Sequence, residues 1–86
     1  LYGLELGDLL AEAGSGQWQK VPWEQEREGD VVVFALERQD LHVGLVIEPG
    51  RMMHSDEWVG KVIIETFRNG LWTPRWRKTY RHISRA

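Results

Sequence analysis

"LHVGLVIEPGRMMHSDE", residues 41–57, is the stretch whose reading decides the fold. Residues 41–47 are rich in β-branched and apolar side chains and read as a strand. Pro49 and Gly50 reverse the chain, and "RMMHS" returns as a second strand. Side chains alternate across a strand, so His42, Gly44 and Val46 share one face while Leu41, Val43, Leu45 and Ile47 share the other. The turn then decides what His42 and His54 can do together. If only Pro49 and Gly50 are unpaired, the register puts the two histidines on opposite faces. If Glu48 is unpaired as well, Gly44 falls opposite His54. The two rings are then diagonal neighbours, roughly 7 Å or less apart at Cβ. Pro-Gly centres a type II turn, whose twist splays a tight hairpin, so a wider loop or a bulge is expected and with it the shared face. Gly44, with no side chain between the rings, is expected to leave an open site.

Working outward, "VVVFAL" at 31–36 reads as a strand buried on both faces, after a turn at Glu28-Gly29-Asp30. "ERQD" at 37–40 and "DEWVG" at 56–60 are polar turns, and "KVIIETF" at 61–67 is a further strand. The segment "WTPRWRKTYRHI" carries a helical turn and a strand, or two short strands, around Pro74. Upstream, Leu4, Leu9 and Leu10 with interspersed acids suggest a short helix ending near "AGSG", "GSGQ" at 14–17 is a loop, and "WQKVPWEQEREGD" at 18–30 is extended or irregular. The expected fold class is therefore α+β: a small antiparallel, partly barrel-like sheet of four to six strands with one short N-terminal helix. One domain spans residues 1–86, with a helix and irregular cover over 1–28 and a β-meander over 29–82.

Composition narrows the possibilities. Eighty-six residues make one small domain that buries only roughly 60 to 65 % of its unfolded surface. There is no cysteine, which removes disulfides and every cysteine-based zinc site. Five tryptophans supply large apolar bodies to a thin core, with a peptide- or sugar-lining groove as the alternative use. No apolar run approaches the roughly 18 residues of a membrane span. The opening "LYGLELGDLL" lacks the pattern of a signal peptide. The net charge of −2 hides a gradient: seven acids lie within residues 1–30, whereas residues 68–86 carry six Arg and Lys and no acid. Mutual contact of the two ends inside one domain accounts for this, and no nucleic-acid motif accompanies the basic end, so no nucleic-acid partner is expected.

Taken in order, "GDVVVF", "HVGLVI", "GRMMH", "KVIIE" and "LWTPRWRKTYRH" resemble the C-terminal part of the NlpC-type cysteine endopeptidases. The likeness is to the branch found in phage tail-tip assembly proteins, and it covers roughly residues 29–82. "YGLEL" at 2–6 is similar to the segment that follows the family's nucleophile helix. The resemblance implies a papain-like enzyme that cuts the peptide stems of peptidoglycan. It implies His42 as the base that activates a cysteine and His54, twelve residues on, as the orienting third group.

The cysteine itself is missing. A base and its orienter without a thiolate cannot run acyl transfer. Ser55 follows His54 in sequence and so points to the other face. The chain as given is expected to be hydrolytically inactive. It is then a remnant or fragment of a longer enzyme, half of a site completed by another chain, or a non-catalytic binding or assembly module of mobile-element origin using the tryptophans and the basic C-terminal tail. Its start at Leu1 fits a piece of something longer. Without the nucleophile helix, several hundred Å² of apolar sheet lie bare. That predicts a homo-oligomer, a missing helix or partner chain, or residues 1–20 folded back as a cover. A zinc site from His42, His54, His82 and Asp56 is available by ligand type, but no spacing signals it, and no metal or cofactor is expected. The bacterial cytoplasm or a phage particle is the expected location.

Overall fold

The computed structural model describes residues 16–36, 41–56 and 60–85. Six strands form one antiparallel sheet: β1 (Trp18–Val21), β2 (Val31–Ala35), β3 (Leu41–Glu48), β4 (Arg51–Asp56), β5 (Lys61–Thr66) and β6 (Trp76–His82). Two 3-10 turns, Thr73–Arg75 and Ile83–Arg85, complete the described elements. The expected α+β class is corrected to all-β, because the described residues hold no α-helix. The sheet is also open rather than barrel-like, since its order runs β1-β6-β2-β3-β4-β5 and ends in two unjoined edges. The helix expected around Leu4, Leu9 and Leu10 lies outside the described residues. So do the part of the expected cover before residue 16, the turn at 37–40 and residues 57–59 with Trp58.

Strands β2 to β5 follow one another as a meander, and β6 then returns across the sheet to pair with β2. That return carries residues 67–75 over one face. Side chains there form the larger core cluster: Val32, Phe34, Val46, Met52, Phe67 and Trp72, with Trp23 and Trp76 packed against it. The aromatic rings meet edge to face or tilted, with Phe34 and Trp72 centroids 4.9 Å apart and Trp23 and Trp76 5.2 Å apart. Such pairs add to the area they bury, so three of the five tryptophans serve this cluster. The opposite face holds a smaller cluster of Val31, Val33 and Tyr80 beside Trp18 and Val43. β2 is buried on both faces because it lies between β3 and β6 with a cluster above and below.

The β3–β4 connection combines both turn expectations. Pro49 and Gly50 form a two-residue turn with Glu48 opposite Arg51, and Gly50 has φ 82°, a value glycine adopts without strain. A β-bulge between Val46 and Glu48 absorbs the misfit of that turn, so that Val46 pairs Met52 and Leu45 pairs Met53. The bulge restores the register in which His42 and His54 share a face.

The charge gradient is resolved inside the domain. Arg81 makes two hydrogen bonds to buried Asp30, at 2.9 and 2.8 Å, across 51 residues of sequence. Buried Glu26 accepts the Gly50 N–H at 2.8 Å and pairs with Arg68. The acidic approach to β2 is thus tied to the basic C-terminal third.

Candidate functional site

Three adjacent strands each place one titratable side chain on the core-bearing face, stepping diagonally. His42 stands on β3. His54 stands on β4, where it pairs Ile63. Glu65 stands on β5, where it pairs Met52 and so lies diagonal to His54. His42 Nε2 lies 2.7 Å from His54 Nδ1. His54 Nε2 lies 2.6 Å from Glu65 Oε2. The second carboxylate oxygen, Oε1, accepts the indole N–H of Trp72 at 3.0 Å. The Trp72 ring stacks on His42 at 26° with centroids 5.5 Å apart, and meets His54 edge to face. The four side chains close a ring.

Two members are held firmly by their surroundings. His54 is 1 % exposed and cannot swing away. Trp72 is set by Asn69, whose Oδ1 accepts the backbone N–H of Leu71 and Trp72 at 3.0 and 2.8 Å. This Asx-type bond follows directly from the Asn-Gly sequence of the loop. The loop lies over the face only because β6 returns to β2, so the topology brings the indole to the histidines.

Gly44 behaves differently from expectation. A Cβ there would stand 2.5 Å from Met52 Sδ and 3.2 Å from Met52 Cβ. The gap left by the missing side chain is filled by methionine, and the glycine serves close packing under the histidines rather than an open site. Ser55 pairs Val62 on the other face, away from the rings. His82 Nδ1 engages Ser84 at 2.8 Å on β6, and its ring meets Trp18. It stands apart from the zinc grouping imagined with His42 and His54.

His54, Asp56 and Glu65 do present ligand atoms within 4.8 Å of one another. Within that group His54 Nε2 and Glu65 Oε2 are hydrogen-bonded to each other at 2.6 Å.

A base whose ring is fixed by a second polar group is the arrangement that activates a thiol or hydroxyl. A sequence model of the NlpC/P60 family matches residues 2–81. The chain belongs to the NlpC/P60 family. It is accordingly a peptidoglycan-hydrolase-like domain of cysteine-peptidase kinship. A comparison with curated proteins finds no match. In this NlpC/P60 domain His42 and His54 sit side by side as the sequence placed them, whereas Glu65 and Trp72 were not recognised as their partners. The signal for Glu65 was an acid at an inward position of β5, in line with Ile63 and Phe67. Reading it required the β4–β5 register, which the sequence between those strands leaves open.

Proposed function

We propose that this chain supplies the proton-handling half of a cysteine endopeptidase acting on the peptide stems of peptidoglycan, as in the phage tail-tip branch of the family. His42 is the general base and His54 its orienting partner. The thiolate comes from outside these 86 residues, so the chain by itself does not hydrolyse peptide bonds. The observation that carries this reading is the 2.7 Å hydrogen bond between His42 Nε2 and His54 Nδ1 in a chain of this family. The distance fits a pair that must move one proton without rearranging. The binding-module alternative is less well supported. Trp23, Trp72 and Trp76 are spent on the core, and Arg68 and Arg81 of the basic third are paired inward.

The test joins a cysteine-bearing helix from an active family member ahead of residue 2 and assays release of stem peptides from purified peptidoglycan. The fused protein is expected to cleave, the 86-residue chain to be inert, and His42→Ala in the fusion to lose at least about 10²- to 10⁴-fold of the rate. Hydrolysis by the unfused chain, or an unaffected His42→Ala fusion, contradicts the assignment.

A further inference from the structure

We propose that Glu65 is a positioning residue that sets the direction of the His42–His54–Glu65 hydrogen bonds, holding His54, and through it His42, in the tautomer a general base requires. The inference rests on the reading of His42 as base and extends it by one member.

The direction follows from what each atom can donate. An indole N–H only donates, and an ionised carboxylate only accepts. Trp72 Nε1 therefore fills Glu65 Oε1, and Oε2 demands a hydrogen on His54 Nε2. A neutral imidazole with hydrogen on Nε2 has its lone pair on Nδ1. His54 Nδ1 must then accept, so His42 Nε2 must donate across the 2.7 Å contact. The lone pair of neutral His42 is thereby fixed on Nδ1. When a thiol approaches, its proton passes from sulfur to Nδ1, and the S–H electron pair stays on sulfur as thiolate. The imidazolium keeps its Nε2–H bond to His54, and the single negative charge of Glu65 lies at the end of the same chain. No ring has to turn.

The charge is needed because both of the carboxylate's partners are donors. A glutamine in its place offers one acceptor oxygen and one NH₂ group. One partner must then change. Trp72 is buried and its N–H cannot become an acceptor, whereas His54 can move its hydrogen to Nδ1 and accept from the amide. That reverses the chain. His54 Nδ1 donates, His42 Nε2 accepts, and the His42 hydrogen comes to rest on Nδ1, where the thiol's proton should go. Stacking of Trp72 on His42 ties the two ends together.

Long-range ¹H–¹⁵N spectra of the ¹⁵N-labelled 86-residue chain at neutral pH report which ring nitrogen carries hydrogen. Wild type is expected to show hydrogen on Nε2 of both His42 and His54. Glu65→Gln is expected to lose the unprotonated Nδ1 signal of both rings. Adding Trp72→Phe to that variant removes the competing donor, frees the amide oxygen for His54 and restores the wild-type pattern. A merely structural role for Glu65 predicts no such rescue. Wild-type His54 with its hydrogen on Nδ1, or Glu65→Gln spectra unchanged from wild type, overturns the proposal. The wild-type spectrum decides alone should Glu65→Gln fail to fold. Correct tautomers beside an inert fusion protein would remove the peptidase reading and leave the role of Glu65 standing. An active fusion with reversed tautomers would do the opposite.

Discussion

The two ends of the β3–β4 hairpin solve the burial of charge in opposite ways. At the turn, anions meet cations: Asp30 grips Arg81 in two hydrogen bonds, and Glu26 holds both Arg68 and the Gly50 N–H. At the histidine site, Glu65 accepts from a histidine and a tryptophan. The first arrangement fixes geometry, because each charge has an opposite charge beside it. The second leaves a charge whose influence passes along a chain of polarisable rings. Buried ion pairs lock, and an anion behind neutral imidazoles prepares a base.

Breaking the lock should have the largest effect. Asp30→Ala strands the Arg81 guanidinium, which is 8 % exposed, and removal of one partner from a buried pair costs about 3–5 kcal/mol. Urea unfolding should show that loss. The Asp30 hydrogen bonds hold Arg81 above the ordinary arginine range, against the opposing effect of burial, with the charge of Asp30 adding to them. A cation raised in this way contributes stability below its unfolded value and loses it only as pH climbs through the folded one. The Asp30→Ala deficit should therefore persist undiminished through the neutral and moderately alkaline range.

Next comes the packing that joins the two ends. Gly44→Ala presses a methyl group onto Met52 and should cost about 1–3 kcal/mol by overpacking. A fall in the unfolding midpoint with an unchanged denaturant slope is the expected signature. At the proton-handling end, Trp72→Phe deletes one hydrogen bond and part of a buried ring, for a loss of about 2 kcal/mol. An equal loss from Asp30→Ala and Trp72→Phe would erase the contrast between the ends. The smallest effect belongs to the exposed edge. Ile64 is half exposed on β5, and Ile64→Thr should change stability by no more than about 0.5 kcal/mol.

Much of this molecule is legible in its sequence, and the limits have physical causes. β2, β3 and β5 follow from β-branched runs between turn residues, β4 from the reversal at Pro49-Gly50, and the shared face of His42 and His54 from the misfit of a Pro-Gly turn. β1 was read only as extended or irregular, since four residues ahead of Pro22 carry little periodic signal. The return of β6 to β2 was invisible because it is decided by distant contacts such as Arg81 with Asp30, which no local pattern encodes. Trp72 reaches His42 only through that return, so its role was hidden with it. Glu65 was hidden by the unreadable register between β4 and β5. The α+β expectation leaned on leucines near the N-terminus, and the described residues have an all-β architecture.

The central claim is that two imidazoles share one hydrogen between named nitrogens. A ¹⁵N–¹⁵N scalar coupling measured across the hydrogen bond tests it directly. The account predicts a resolved coupling between His42 Nε2 and His54 Nδ1 in the wild-type chain, lost when either residue is replaced by alanine. Absence of that coupling, with both rings otherwise ordered, would contradict it.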